Sequence, residues 1–457
     1  MFLFTSLKKR VNKNDFKENS GKKMKRILLI ILLIQPALFG QTKKLTIEES
    51  VRIGLENSSL IKISESNLRS SDANITMATS MMLPKISLSA GYTYMNLNDP
   101  KEIGFGPVGL EVINPFSLYG MQLSIQQPLF TGFQISSSRS AAKNSYEATN
   151  FEHQKNINNK ALEIYSSFWN FFKAKNQYEL TQEYLTSLKD NLKQTKDFLD
   201  NGLATMNDYL KIKVQVSNAE VSLIDAKNNM EIARASFNKS LGIPLSDPTE
   251  IDASYTSLQQ QSFNYQDLLN NALNNRADLK SLEYNIKAGE DRITAANSGW
   301  WPKLYASGNF FLYNATAKTF SIDNEKLQAW FVGLSLNWDL WDWGYTSSQS
   351  AQAEESVLQG EEMLKLLKEQ IELETYNAYL TINSQKEKIN VSQLTVESAE
   401  ENLRLIQQKY DYNLATSNDL IDAEVEVLDA KTKLAFSNAD YELAKAKLEV
   451  TIGNRIY

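Results

Sequence analysis

Tyr410-Asp411-Tyr412-Asn413-Leu414-Ala415-Thr416-Ser417-Asn418-Asp419-Leu420-Ile421-Asp422-Ala423 interrupts a long helical pattern and then restarts it. Far upstream, Phe198-Leu199-Asp200-Asn201-Gly202-Leu203-Ala204-Thr205-Met206-Asn207-Asp208-Tyr209-Leu210-Lys211 does the same. Both stretches carry Leu-Ala-Thr and then Asn-Asp at the same place. Gly202 and Asn413 are residue types that tolerate the left-handed backbone of a tight turn. Each stretch reads as the tip of a helical hairpin, one near 200–208 and the other near 410–422. The tips are where the protein is expected to work.

The helices that lead to the tips are long. From Gly132 to Asp200 and from Gly344 to Tyr410 no proline occurs. Each run of close to 70 residues spans roughly 100 Å at 1.5 Å per residue. Apolar residues recur at alternating steps of four and three: Tyr178, Leu185, Leu188, Leu192 and Leu199 before the first tip, Leu210, Val214, Val221 and Ile224 after it. Ile421, Val425, Leu428, Ala435 and Ala439 continue the pattern after the second tip. These are coiled-coil seams, and seams of this length build a rod or tube.

Further out, the two halves repeat. Thr46-Ile47-Glu48-Glu49 opens a helix with a capping box, and Asn264-Tyr265-Gln266-Asp267 opens another 218 residues on. Each helix is expected to run to a junction, Leu83-Pro84-Lys85 or Trp301-Pro302-Lys303. After each proline the period changes to two. Ile86, Leu88, Ala90, Tyr92 and Tyr94 face one way, as do Tyr119, Met121, Leu123 and Ile125. Leu304, Ala306, Gly308, Phe310 and Leu312, then Trp330, Val332, Leu334, Leu336 and Trp338, do so in the second half. The expected strands are 85–97, 118–130, 303–314 and 328–341. Small or polar residues fill the alternate positions, and aromatics such as Tyr92, Tyr119, Phe130, Trp330, Trp341 and Trp343 gather at the ends. That is the pattern of transmembrane barrel strands, against a soluble β-sandwich as the plainer reading. Residues 98–116 and 315–326 read as surface loops. The organisation is a first repeat over 41–241, a linker over 242–262 that crosses the outside of the tube near its middle, and a second repeat over 263–457.

Composition narrows the chemistry. The 457 residues include no cysteine and one histidine, His153, which reads as a solvated surface residue. Disulfides, thiolate metal sites and histidine-based triads are excluded, and no nucleotide or metalloprotease motif is present. No catalytic residue, metal site or cofactor is expected. Lys22, Lys23, Lys25 and Arg26 precede an apolar run, Ile27–Ile34, and small residues near Gly40, so residues 1–40 read as an export signal. Met24 is a second candidate start, which would leave residues 1–23 upstream. Residues 1–40 hold nine Lys/Arg and two Asp/Glu, so removing them takes the formal net charge from −6 to −13. An exported protein this acidic is not a nucleic-acid binder.

Four strands cannot satisfy their own edges in lipid, where closed barrels have about eight strands or more. The chain is therefore expected to assemble with copies of itself. Two copies would give eight strands and a filled lumen, three about twelve and a water-filled one. The small and polar inner faces favour three.

The duplication, the Pro84 and Pro302 junctions, the Leu129-Phe130-Thr131-Gly132 return and the two tips together resemble the TolC-type outer-membrane efflux proteins, across residues 41–457. The resemblance implies a fold dominated by α-helix, with a trimeric 12-stranded β-barrel in the outer membrane of a Gram-negative cell and a long α-helical barrel across the periplasm. It implies a passive exit duct. The expected partners are a homotrimer, outer-membrane lipid, a periplasmic adaptor protein, and an inner-membrane transporter of the RND or ABC type, in an efflux or type I secretion system.

The resemblance also assigns the tips a gate. Tyr410, Asp419 and Asp422 match the family's gate residues, and Asp208 matches another gate aspartate. Gly202, Leu203, Ala204, Thr205, Asn413, Leu414, Ala415 and Thr416 form the turns and the adaptor-docking surface. Ala415 stands where the family places an arginine, so closure rests on other contacts than that charged lock. Read from the residues alone, Asp419 and Asp422 share a helix face and, repeated around an axis, would ring a mouth with carboxylates that select cations. Acids also cap a helix start. Asp208, the counterpart of Asp419, fits that role equally, whereas the counterpart of Asp422 is Lys211, which favours the pore reading for Asp422. The alternative function is a non-conducting periplasmic coiled-coil scaffold or adaptor.

Overall fold

The computed structural model describes residues 44–95, 103–105, 108–110, 116–253, 263–315, 327–412 and 414–457. The export segment and Asn413 lie outside the described residues. The chain begins with β1 (Lys44–Leu45), α1 (Ile47–Asn57) and α2 (Ser59–Ser80). Thr46 caps α1 as its sequence predicts, its hydroxyl accepting from the Glu49 N–H at 3.3 Å. The single helix expected up to Pro84 is broken at Ser58. That residue has ψ 117°, and its hydroxyl caps α2 by accepting from the Ile61 N–H.

Pro84 stands one residue before β2 (Lys85–Met95), where its lack of an N–H breaks no helix. Residues 96–97 of the first expected strand lie outside the described residues. The stretch expected as a plain loop contains a small hairpin of β3 (Ile103–Phe105) and β4 (Val108–Leu110). Next comes β5 (Phe116–Phe130), starting two residues earlier than expected. Two helices follow, α3 (Gln134–Asp200) and α4 (Met206–Leu241). The linker carries β6 (Glu250–Ile251), which pairs in parallel with β1 and buries Ile251.

The second half has the same element order: α5 (Tyr265–Asn275), α6 (Ala277–Ala296), a 3₁₀ turn (Asn297–Trp300), β7 (Lys303–Ala315), β8 (Leu327–Asn337), α7 (Tyr345–Asp411) and α8 (Ser417–Thr451). Here too the first helix is broken, at Arg276, whose guanidinium bridges Asp278 and Glu374. β8 ends at Asn337, short of the expected 341. The chain leaves the sheet there because Trp338 donates to the Trp300 carbonyl and Asp342 accepts from the Gly344 and Thr346 N–H groups, starting α7.

At 67 residues each, α3 and α7 match the lengths read from the sequence. The largest core lies part-way along α3, where Ile164, Phe168, Trp169 and Phe171 pack on Phe237 and Leu241 of α4 and on Val51 of α1. Phe168 meets Phe237 edge-on at 5.7 Å, an arrangement that aromatic pairs favour. His153 is half-buried and bonded to Ser64 at 2.9 Å, not solvated. It ties α3 to α2.

One expected seam faces the other way. Within the chain α4 presents Ile212, Val216 and Ala219 to Leu185 and Leu188 of α3. Leu210, Val214, Val221 and Ile224 stay exposed, Ile224 at 68%. Two apolar stripes interleave on α4, and the sequence does not say which one α3 covers. α7 carries a matching unpartnered heptad stripe of Leu366, Leu373, Leu380 and Leu394.

The four long strands form one antiparallel sheet in the order β2-β5-β7-β8. Its apolar face is exposed, with Leu88, Val332 and Leu334 at 63%, 75% and 71%. Its opposite face is mixed: Ser87 bonds Ser124 at 2.7 Å and Gln122 donates to Asn309, while Phe311 stacks on Tyr313 and Phe331. A soluble sandwich would bury the apolar face against a second sheet, and no element among the described residues covers it.

Candidate gate at the hairpin tips

Both tips are built by the same local chemistry. α3 ends in a Schellman turn: Gly202 N–H donates to the Leu199 carbonyl (3.0 Å), and Leu203 N–H reaches back to the Phe198 carbonyl (2.8 Å). Gly202 takes φ +70° with open space around it. At the second tip Leu414 N–H reaches the Lys409 carbonyl at 2.8 Å. Thr205 then caps α4 and Thr416 caps α8. Leu203 and Leu414 are exposed, at 60% and 76%.

The candidate gate carboxylates divide by role. Asp208 and Asp419 close capping boxes with Thr205 and Thr416, each taking an N–H and a hydroxyl. The Thr205 hydroxyl above all holds the Asp208 carboxyl below its usual range. The Thr416 N–H, then its hydroxyl, does so for Asp419. Asp422 is exposed and makes no hydrogen bond or ion pair among the described residues. In the structure, then, the two equivalent aspartates cap helices, and Asp422 alone is left free.

Tyr410 does not lie on an open surface. It is buried in the seam between the two hairpins, its hydroxyl 2.7 Å from Thr195 Oγ1 and its ring 5.9 Å from Phe198. Further bonds cross the same seam. Gln194 donates to Asp411 at 3.0 Å, and Asn191 donates to Glu424 Oε1 at 2.7 Å, joined there by the Ser187 hydroxyl. Glu424 is buried, and burial raises its carboxyl above the ordinary range against the pull of these two bonds. Burial, then Glu424 and Asp422, push Tyr184 up to about 12. Sequence reasoning missed Glu424, Ser187, Asn191 and Thr195. The trace they leave is a row of polar residues at steps of four inside a seam of leucines.

Among the described residues no group of His, Asp and Glu is placed to hold a metal. None of their helices is long and apolar enough to cross a membrane.

Comparison with known proteins agrees with this architecture. The chain is 21% identical to the outer membrane protein TolC of Vibrio cholerae over 384 residues, covering 83% of this chain and 84% of that one. It is 22% identical to the alkaline protease secretion protein AprF of Pseudomonas aeruginosa, covering 74% of this chain and 70% of that one. The solved structure of the Campylobacter jejuni CmeC outer membrane channel superposes with a TM-score of 0.75 at 14% identity, over 89% of this chain and 85% of that one. The family model for outer membrane efflux proteins matches twice, at residues 52–243 and 268–454, once in each half of the chain. The chain belongs to the outer membrane efflux protein family.

Proposed function

We propose that three copies of this chain form a passive exit duct through the outer membrane, gated at the hairpin tips. The observation that carries this is the sheet. Its four strands present one exposed apolar face, an opposite face that mixes polar and aromatic side chains, and two unpaired edges, β2 and β8. In lipid such a piece is stable only when its edges are closed by copies, and three copies supply twelve strands around a wet lumen. The helices support the same symmetry. The exposed stripe of α4 fits the exposed stripe of α7 on a neighbouring copy, a head-to-tail contact that closes into a ring. The matching element order of the two halves supports an internal duplication, which would make this contact between copies resemble the one between α3 and α8 within a chain. A non-conducting scaffold would have no use for an uncovered apolar sheet face.

As a member of its family the protein resides in the outer membrane and extends into the periplasm, where it serves efflux or type I secretion. An adaptor protein is proposed to dock on the exposed turns around Leu203 and Leu414, with an inner-membrane transporter of the RND or ABC type supplying the cargo and the energy. Asp422, three times around the axis, with Asp419 at the same mouth, is proposed to select cations. Reconstitution in planar bilayers tests this. Cation-selective channels from a complex of trimer mass are expected. Asp422→Ala should lower the selectivity more than Asp419→Ala, because Asp419 is engaged in its cap. Equal selectivity in all three proteins defeats the ring assignment, and the absence of channels defeats the duct.

A further inference from the structure

We propose that Glu424 is a proton-operated latch in the seam between the two hairpins, and that the seam loosens when this carboxyl ionises. The inference rests on the gated duct described above and adds to it what sets the seam's strength. Three features of the geometry carry it. Glu424 lies on the face of α8 that packs on α3, with 5% of its surface exposed. Oε1 accepts from Ser187 and Asn191, while Oε2 has no hydrogen-bond partner. No lysine or arginine pairs with it among the described residues. A buried carboxylate without a counter-charge is costly, whereas a protonated carboxyl in the same place is not.

Neither of its titratable neighbours supplies a counter-charge. Tyr184 of α3 faces it with a raised hydroxyl, and Asp422 lies two residues away on α8 with its own negative charge. On the packed helices Lys189 pairs with Glu220 across α3 and α4 (2.9 Å), Lys431 pairs with Glu400 across α7 and α8 (2.9 Å), and Glu426 accepts from Asn402. Glu424 also sits at the root of a polar row that runs toward the tip. Ser187, Asn191 and Thr195 follow at steps of four on α3, Thr195 donates to the Asn191 carbonyl (2.8 Å), and Thr195 meets Tyr410. A change at Glu424 therefore reaches the tip contact through adjoining bonds.

The counterpart positions carry the serine and the asparagine but not the acid. Ser398 and Asn402 on α7 occupy the positions of Ser187 and Asn191, yet the counterpart of Glu424 on α4 is Lys213, which is exposed. Ser and Asn recur while the acid does not. The acid belongs to the seam between α3 and α8.

The sign follows from the raised carboxyl. The closed seam holds its full strength below the ordinary carboxylate range, where both forms are protonated, and loses it as pH rises through the raised value. Lower pH keeps the seam shut, and higher pH favours parting, with Glu424 ionised and hydrated. Each pKa unit between the closed and hydrated states changes the closed-to-open ratio by about tenfold per seam.

The test compares the full-length protein with Glu424→Gln, an isostere of the protonated form, between about pH 5 and about pH 8. Two measurements are made on each: open probability in planar bilayers and the thermal unfolding midpoint in detergent. The parent should open more as pH rises, and E424Q should stay shut and flat. The unfolding midpoint of E424Q should exceed that of the parent at the higher pH and match it at the lower. A pH response equal in the two proteins, or a flat parent, overturns the latch. Should neither protein conduct, the duct reading fails, and the unfolding midpoints alone decide the latch: equal differences at both pH values overturn it. Glu424→Asp, which keeps the charge but shortens the reach, controls for misfolding and should retain the pH dependence.

Discussion

Tyr410→Phe removes one oxygen from the seam that holds the tips together, and its cost can be worked from the contacts. The hydroxyl is buried and 2.7 Å from Thr195 Oγ1. A net hydrogen bond of this kind contributes about 0.5–1.5 kcal/mol. Thr195 keeps its bond to the Asn191 carbonyl, so no orphaned donor is created, and the figure belongs to the lower half of that range. The ring of Phe still packs on Phe198, so the apolar contribution is retained. In a trimer whose three seams part together the effect is threefold, roughly 1.5–3 kcal/mol, which shifts the closed-to-open ratio by roughly ten- to 150-fold. The assay is open probability in bilayers for the single variants Tyr410→Phe and Thr195→Val and for the double variant. The two single variants should open more readily, and the double should open no more than the worse single, giving a coupling on the order of 0.5–1.5 kcal/mol per seam. Full additivity of the two, or closed channels in both, would refute the claim that this bond is what holds the hairpins.

Other consequences can be checked separately. Because Asp208 and Asp419 titrate below the ordinary range, their caps hold above the usual carboxylate pKa and are lost as pH falls through the lowered value; amide exchange at the starts of α4 and α8 should quicken in acid, and Thr205→Ala should reproduce the change at α4 alone at neutral pH, costing about 1 kcal/mol of local stability. Gly132→Ala should prevent barrel assembly in outer-membrane fractions, since φ is +62° and a Cβ would stand 2.7 Å from Trp301 Cβ and 2.8 Å from the Ser298 carbonyl. Gly202→Ala, with φ +70° but open space, should assemble normally and cost only about 1 kcal/mol at the tip. Leu334→Lys, at a site that would be harmless on a soluble protein, should destabilise the lipid-inserted form by about 2–4 kcal/mol in urea titrations, and unchanged stability would count against a lipid-facing strand.

Much of the fold can be read from the sequence because long periodic elements leave long signals. A proline-free run of close to 70 residues has few alternatives to a helix, and alternation over ten residues with small partners on the other face has few alternatives to a membrane strand. Pro84, Pro302 and Gly132 mark their junctions by backbone chemistry alone. The breaks at Ser58 and Arg276 are hidden, because neither residue disrupts a helix by itself. At Arg276 the helix gives way where the side chain gains two carboxylate partners, one of them Glu374, 98 residues away. β6 is hidden for a similar reason: a two-residue strand is defined by its partner β1 and by the core that receives Ile251, and neither lies nearby in the sequence.

The site is less legible than the fold, and the reason lies in how helices meet. A heptad stripe shows that a face will be covered but not what will cover it. On α4 the stripe through Leu210 and Val214 is the more conspicuous one, yet α3 takes the stripe through Ile212 and Val216. In the proposed trimer a neighbouring copy takes the other, so the sequence would contain both interfaces without labelling them. The same ambiguity hides the proposed gate. Tyr410 and the two capping aspartates draw attention because they flank a turn, but turn residues satisfy local backbone groups first, and Asp208 and Asp419 do just that. The groups that decide whether hairpins stay together must reach across a seam. They are polar residues at positions where leucine would serve packing better. Leucine at Asn191 or Thr195 would bind the hairpins permanently, whereas a row of hydrogen bonds can be exchanged for water at little net cost. A seam that must open is therefore expected to be polar where it opens and apolar where it does not. The chain follows that rule, from the buried aromatic core around Phe168 to the Thr195–Tyr410 bond at the tip.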